Sequence, residues 1–282
     1  MPPRGKRGDI VLERKHAQLR KLLAGMERAL IAYSGGVDSA LVAWVARQTL
    51  GDRALAITAV SPALLPEELE EARERAAAMG IAHETIATQE MADPNYTANP
   101  VDRCYFCKSE LHDTLRPLAR ERGYAYAIDG VNADDWQDYR PGIQAAQERG
   151  SRSPLAEVGL TKAEVRQLAQ QLGLACWDKP AQPCLSSRFP YGEPITVAKL
   201  QRVGRAEVYL HRLGLRHLRV RSHGDTARIE IPPAEIPGFV SQTDLDALVA
   251  AFKDYGFRYV TLDLEGYQSG KLNRTVPSQS SA

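Results

Sequence analysis

Short apolar runs alternate with amphipathic stretches over the first two thirds of the chain. "RALIAY" (Arg28 to Tyr33) is an uninterrupted apolar run of strand length. "SALVAWVARQTLG" then repeats apolar positions at helical spacing and stops at Gly51. "RALAITAV" restores the strand pattern and "PEELEEARERAAAMG" the helix, with Pro66 suited to a first turn and Gly80 to a C-cap. "IAHETIA" and "YAYAIDG" predict two more strands, with the segment ending "LARERG" between them. "TKAEVRQLAQQLGL" predicts a closing helix, Thr161 and Glu164 standing at capping-box spacing. Strands alternating with helices predict an α/β domain, a parallel sheet covered on both faces.

After Pro194 the pattern changes. "ITVAKLQRVGRAEVYLHRLG" predicts one amphipathic helix, with Gly204 as a place to bend. "LRHLRVRSHGDTARIEIP" predicts two strands about the turn "HGD". "SQTDLDALVAAFKDYG" predicts a further helix and "FRYVTLDL" a further strand. The expected organisation is an α/β domain over 18–190 and a smaller α+β domain over 194–273. Both ends read as loose: the charged start, and "NRTVPSQSSA" from Asn273. No internal repeat is visible.

Composition narrows the class. At 282 residues the chain accommodates two domains, and 44% hydrophobic content is ordinary for a soluble protein. Lys and Arg (36) nearly balance Asp and Glu (35), so bulk charge advertises neither nucleic acid nor a membrane surface. No apolar run approaches membrane-spanning length, and the start has no apolar h-region of a secretory signal. Four cysteines are too few for a disulfide scaffold. The expectation is a cytoplasmic protein, in which spaced thiols mean metal or redox chemistry more often than cross-links.

The segment "AYSGGVDSAL" carries the clearest chemistry. A strand runs into two glycines and a helix starts near Ser39, so backbone N–H groups and the positive helix end face one loop, an anion site. Gly35 and Gly36 permit positive φ and close approach of phosphate oxygens. Ser34 and Ser39 offer hydroxyls, and Asp38 can hold a magnesium ion bridging phosphates. The missing Gly-Lys-Ser/Thr ending excludes the common P-loop. A Gly-rich turn without a ligand is the bland alternative for "SGG" alone; the whole S-G-G-x-D-S between strand and helix argues against it. The segment resembles the pyrophosphatase loop of the PP-loop ATPases, which include GMP and NAD synthetases, ATP sulfurylases and tRNA thiolation enzymes. "AVSPALLPEELEEA" and "SPLAEVGLTKAEVRQLAQQLGL" extend that resemblance from Arg28 to about Leu174. It implies ATP cleavage between the α- and β-phosphates, leaving an adenylated substrate and pyrophosphate.

"DGVNADDWQDYRPG" (Asp129 to Gly142) follows a predicted strand with four aspartates, an asparagine and an arginine. Open parallel sheets bind ligands at such strand ends, which makes Asp129 and Gly130 candidate nucleotide contacts; a solvated acidic loop is the alternative. "RCYFCK" places Cys104 and Cys107 one helical turn apart, and "QPCLSSRFPYG" adds Cys184. The residues alone leave four readings open: a redox dithiol, zinc with a missing fourth ligand, an iron–sulfur cluster with one open iron, or unconnected buried thiols. Cys176, in "GLACWDKP", reads as a core thiol on a strand.

Five segments go further: "SGGVDSALV", "DGVNADDWQDYRPG", "WDKPAQPCLSSRFPYG", "RVRSHGDTARIEIP" and "FRYVTLDLEGYQSGKLN". Together, from about residue 20 to 275, they resemble the LarE family, ATP-dependent sulfur transferases that make the nickel-pincer nucleotide of lactate racemase. The resemblance implies adenylation of the carboxylates of pyridinium-3,5-biscarboxylic acid mononucleotide, followed by displacement of AMP by sulfur. Within the family the sulfur comes either from a sacrificed cysteine near "SSRFPYG" or from a 4Fe–4S cluster on a CxxC and a third cysteine. Cys104, Cys107 and Cys184 match the second pattern, with a sulfide donor replenishing the cluster. Arg219 and Arg221, two apart on a predicted strand, can share one phosphate; a solvated, salt-bridged face is the alternative. The family pattern adds Arg188 and Glu207, and implies a homo-oligomer, a hexamer.

The competing functions are a PP-loop tRNA thiolation enzyme, disfavoured by the balanced charge, and a non-catalytic nucleotide-binding module whose thiols hold structural zinc. The expected partners are a small-molecule mononucleotide and a sulfide donor, with no membrane and no nucleic acid.

Overall fold

The computed structural model of the protein describes residues 4–137, 140–180, 182–268 and 270–275. Met1, Pro2 and Pro3, Asp138 of the acidic loop, and 276–282 of the expected loose tail lie outside the described residues. In chain order the elements begin α1 (Arg4–Ala24), β1 (Ala29–Ala32), α2 (Val37–Leu50), β2 (Ala54–Val60), α3 (Pro66–Met79) and β3 (Ala82–Ala87). Next come α4 (Pro94–Thr97), α5 (Arg103–Glu121), β4 (Ala127–Ile128), α6 (Pro141–Glu148), α7 (Pro154–Glu157) and α8 (Lys162–Gln171). The last are α9 (Val197–Arg212), β5 (Arg219–His223), β6 (Thr226–Glu230), α10 (Ile236–Gln242), α11 (Leu245–Asp254) and β7 (Tyr259–Leu262). The chain divides into two compact units: Met1–Glu90 with Asp102–Gln182, and Met91–Val101 with Pro183–Ala282.

In the first unit the strand order is β3-β2-β1-β4, and every pair is parallel. Side chains of β1 alternate between two cores. Ala29 and Ile31 join Leu19, Leu41 and Val165 on the side of α1, α2 and α8. Leu30 joins Leu55, Ile57, Leu111 and Leu115 on the side of α5. Successive Cβ atoms point to opposite faces, and both faces are covered, which is why "RALIAY" reads as apolar throughout. The caps follow the sequence: Pro66 opens α3, Gly80 closes it at φ +65, and Thr161 and Glu164 form the capping box of α8.

Three local expectations give way. The start is a helix, because Leu12, Leu19 and Leu23 fall on one buried face; the charges between them dominate the composition and hide it. The fourth strand pairs only through Ala127 and Ile128. Cys176 lies in a run of turns, not a strand: Trp177 N–H donates to Leu174 C=O at 3.1 Å and Lys179 N–H to Cys176 C=O at 3.0 Å.

In the second unit β5 and β6 form an antiparallel hairpin turned at Gly224 (φ +55), and β7 adds in parallel to β6. α9 runs unbroken through Gly204 and buries Leu200, Val203 and Leu210. Met91–Val101 also belongs to this unit. Ile195 N–H donates to Thr97 C=O and Gly192 N–H to Asn99 C=O, both at 2.8 Å, while the Asn99 side-chain amide donates to Pro190 C=O at 2.7 Å. Among the described residues no helix is long and apolar enough to cross a membrane.

Candidate functional site

The chain from Tyr33 to Gly36 crosses from the end of β1 to the start of α2. Gly35 turns at φ +71, and a Cβ there would stand 3.0 Å from the Ala72 Cβ of α3, so glycine serves both the turn and the close packing. The two serines close the loop on itself. Ser34 Oγ and Ser39 Oγ are 3.1 Å apart, Ser34 N–H donates to Ser39 Oγ at 3.2 Å, and Ser39 Oγ donates to Gly36 C=O at 3.1 Å. The first turn of α2 aims its free N–H groups and positive dipole end at the loop. Beneath it, Arg75 donates to Gly35 C=O at 3.1 Å and pairs with Glu71 at 2.7 Å, and Lys179 pairs with the same carboxylate at 2.7 Å. Burial pushes Glu71 up, but the bonds from Lys179 and Arg75 outweigh it and hold the carboxyl below its usual value.

The acidic loop closes over this site. Gly130 leaves no room for a side chain: a Cβ would lie 2.6 Å from the Ser39 nitrogen and 2.9 Å from the Asp38 carbonyl carbon. Asp129 beside it is buried, and burial raises its pKa against the pull of a hydrogen bond from Val131 N–H. The Asn132 amide donates to Asp38 Oδ1 at 3.2 Å and to Asp135 Oδ2 at 2.7 Å. The other oxygen of Asp38 is ion-paired with Lys162. Lys162 is placed by its own backbone, whose N–H donates to Asp134 Oδ2 at 2.8 Å at the start of α8. Ser34, Gly35, Gly36, Asp38, Ser39, Asp129 and Gly130, chosen from the sequence, thus meet at one place. Asn132, Lys162, Arg75 and Lys179 join them and were not singled out; the signal for Lys162 was its place in "LTKAEV" at a helix start.

Cys104 and Cys107 occupy the beginning of α5, Cys104 exposed and Cys107 half-buried. α6 packs on that turn at Gly142, where a Cβ would come 2.9 Å from Lys108 Cγ and 3.6 Å from Cys104 Cβ. Cys176 is buried, and burial pushes its thiol up. Cys184, exposed, precedes the short helical turn Leu185–Arg188 in the second unit, and its C=O accepts from Arg188 at 3.3 Å. Among the described residues no group of three or more His, Cys, Asp or Glu side chains is gathered as a metal site. Cys104 and Cys107 lie in the first unit and Cys184 in the second; none of the three is buried, and thiolates are the ligand type of iron–sulfur clusters.

In the second unit the arginines are buried. Arg188 makes a two-point pair with Glu207 at 2.7 and 2.8 Å, both side chains nearly inaccessible. Arg221 donates to Glu230 at 3.0 Å and to Ser187 C=O at 2.7 Å. Arg219 donates to Leu218 C=O at 2.7 Å and lies over the Tyr267 ring. Its pKa is lowered, by burial first and then by Arg188, with Arg221 adding to the crowding.

Residues 12–104 match the NAD synthase family. The pyridinium-3,5-bisthiocarboxylic acid mononucleotide synthase of Lactiplantibacillus plantarum is 40% identical over 266 residues, 94% of this chain and 96% of that protein. The chain belongs to the LarE family.

As a LarE-family protein it is an ATP-using sulfurtransferase on a PP-loop ATPase fold. An uncharacterized protein of Synechocystis sp. is 67% identical over 94% of this chain and 99% of its own length. One of the subunits of the glutamine-hydrolyzing GMP synthase of Pyrococcus furiosus is 27% identical over 58% of this chain and 55% of its own. LarE membership thus covers both units, whereas the NAD synthase match stops at residue 104.

Proposed function

We propose that this protein converts pyridinium-3,5-biscarboxylic acid mononucleotide to its bisthiocarboxylate, the product that the name of the Lactiplantibacillus relative gives, toward the nickel-pincer nucleotide of lactate racemase. In each half-reaction a carboxylate oxygen attacks the α-phosphorus of ATP and pyrophosphate leaves. A sulfur nucleophile then attacks the acyl carbon, and AMP leaves with the oxygen. The observation that carries this reading is the loop at Ser34–Ser39, closed by Gly130, in a chain aligned with that synthase over nearly its whole length.

The residues divide the work by their chemistry. The N–H groups at the start of α2, with Ser34, Gly35, Gly36 and Ser39, take phosphate oxygens. Asp38 would hold magnesium, which when bound would supply positive charge for the leaving pyrophosphate, and Lys162, now on Asp38, would turn to the phosphates. Asp129 and Gly130 border the nucleotide. Arg219 and Arg221 take the substrate phosphate: buried guanidiniums that crowd one another gain from an anion between them. Arg188 and Glu207 hold that cradle in place. Cys104, Cys107 and Cys184 would be the thiolates of a 4Fe–4S cluster, which when bound supplies an exchangeable sulfide. We also expect a homo-oligomer, a hexamer, which a mass measurement in solution tests.

Full-length protein, reconstituted with iron and sulfide without oxygen, is given ATP, magnesium and the dicarboxylate mononucleotide. AMP and pyrophosphate should form with the thiocarboxylate, over many turnovers, with about four irons per chain. Cys104→Ala, Cys107→Ala and Cys184→Ala should each lose the iron; Cys176→Ala should keep it. ADP and phosphate as products would overturn the reaction. One sulfur per chain, with Cys184 lighter by the mass of hydrogen sulfide in iron-free active protein, would replace the cluster by a sacrificed cysteine.

A further inference from the structure

The loop at Ser34–Ser39 is held from beneath by a chain of charged side chains. Arg75 of α3 donates from one end of its guanidinium to Gly35 C=O at 3.1 Å and from the other to Glu71 Oε2 at 2.7 Å. Lys179 donates to the same Glu71 oxygen at 2.7 Å. The backbone of Lys179 is fixed on both sides: its N–H donates to Cys176 C=O at 3.0 Å, and its C=O accepts from Arg166 of α8 at 3.0 Å. The run of turns after α8 is thus joined to Gly35 through Lys179, Glu71 and Arg75.

What this chain fixes is one peptide bond. A trans peptide points its C=O and its N–H in opposite directions. Holding Gly35 C=O toward α3 therefore turns the Gly36 N–H to the other side, where it meets Ser34 Oγ at 3.4 Å, beside Ser39 Oγ. A contact of that length is weak, and a phosphate oxygen can replace it. Glycine restricts its own backbone less than any other residue, so a donor on Gly35 C=O is what keeps this peptide from turning. Arg75 is close enough to serve: a Cβ on Gly35 would stand 3.5 Å from its Nη1.

We propose that Arg75 is a positioning residue for the ATP half of the reaction. It aims the Gly36 N–H at a phosphate oxygen, and Glu71, braced by Lys179, aims Arg75. The planar guanidinium suits the task because its fork reaches two acceptors at once in a fixed geometry, whereas an ammonium is a point charge on a flexible stem. Its charge is already engaged by Glu71, so it acts through the peptide and not as a counter-ion of the nucleotide. This role rests on the proposed reading of the loop as the phosphate site.

Calorimetric binding of magnesium pyrophosphate to the full-length protein reads the loop without turnover. Arg75→Ala should raise the Kd about tenfold, the loss of a well-aimed hydrogen bond to a charged acceptor. Arg75→Lys should stay within about threefold of Arg75→Ala, because a lysine keeps the charge and loses the fork. Glu71→Gln should also weaken binding, although it leaves the loop one charge more positive. In turnover, Arg75→Ala should raise the KM for ATP about tenfold, with kcat and the KM for the mononucleotide within about threefold of wild type. Near-wild-type affinity in Arg75→Lys, or tighter binding in Glu71→Gln, would make Arg75 a counter-ion and overturn the positioning role. Equal losses for pyrophosphate and the mononucleotide would overturn it too, as a general defect of the fold. Pyrophosphate bound equally by wild type and Arg75→Ala overturns the role and leaves the loop as the phosphate site. Wild type that binds no pyrophosphate removes both.

Discussion

Gly130→Ala puts the geometry of the ATP loop to a direct test. A Cβ at this position would sit 2.6 Å from the Ser39 nitrogen and 2.9 Å from the Asp38 carbonyl carbon and the Ser39 Cα. These are backbone atoms of the first turn of α2, which cannot rotate aside. Ordinary contact begins near 3.4 Å, so the two segments must separate by roughly 0.8 Å, the difference between 3.4 and 2.6. Asn132 travels with the displaced loop. Its bond to Asp38, 3.2 Å now, would lengthen toward about 4 Å and be lost. Forced overpacking of this kind costs about 1–3 kcal/mol in stability, and a displacement near 1 Å at a reacting centre costs about 10²-fold in rate. Urea unfolding should show the first effect and AMP formation the second, with the larger loss in kcat/KM. The variant should still fold, because that cost is a fraction of the roughly 5–15 kcal/mol that holds a domain together. Wild-type kcat/KM and an unshifted urea midpoint would refute the close approach and, with it, the role given to Gly130.

Other substitutions separate the contributions of neighbouring groups. Asp38→Asn should abolish magnesium-dependent AMP formation with little change in the urea midpoint; retained activity would remove Asp38 from the metal site. Glu207→Ala removes the carboxylate that makes a two-point pair with the buried Arg188 and should destabilise the second unit by about 3–5 kcal/mol; a midpoint near wild type would mean the pair is not buried in solution. His112 is buried, and its pKa is pushed down to about 4, by burial first and then by Lys108 and Arg149. The unfolded chain, titrating near 6.5, binds this proton more readily than the folded one, so the histidine's contribution is complete above about pH 6.5 and is lost as pH falls toward 4, by up to about 3 kcal/mol. His112→Asn should flatten the fall in stability over that window, and an unaltered slope would exclude His112 as its source.

The parallel sheet was legible because both of its faces are covered: Leu30 and Ile31 serve opposite cores, so the run between them had no polar gap. The loop was legible because Gly35, Gly36 and Asp38 are contiguous. Residues that reach the loop from elsewhere were not, since nothing local marks Arg75 in an acidic helix or Asn132 in an acidic loop as a neighbour of Gly35 or Asp38. The same limit hid α4 and the turn after it, where Tyr96 and Asn99 are tied to Ser186 and Pro190 across some 90 intervening residues. Arg219 and Arg221 do lie on one strand, but their burial draws on the nearby charge of Glu207 and on the Glu230 carboxylate bonded to Arg221, which alternation alone does not encode. The first helix was lost because its three buried leucines are diluted among basic residues.

Charge balance at the ATP loop gives a last consequence. Lys162 is engaged by Asp38, and Arg75 and Lys179 by Glu71, so each of these cations already has a carboxylate partner. Three cations share two carboxylates there, so an arriving triphosphate meets one net positive charge, already engaged by Glu71, together with the dipole of α2, worth about 0.3–1 kcal/mol near solvent. In the proposed reaction Asp38 would hold magnesium, and Lys162, released from Asp38, would be available to a phosphate oxygen. Asp38 and Lys162 remain 22% and 35% exposed, so the exchange needs no opening of the core. Lys162→Met should then have two opposite effects. Asp38, no longer paired, should bind magnesium more tightly in the absence of nucleotide, while the KM for ATP rises by roughly tenfold or more, the loss of one charge-assisted bond. If Lys162 serves only to neutralise Asp38, magnesium binding tightens and the KM for ATP falls or stays level. A rise in both constants would mean that Lys162 holds the loop's shape. The exchange of partners requires the first pattern: magnesium tighter, ATP weaker.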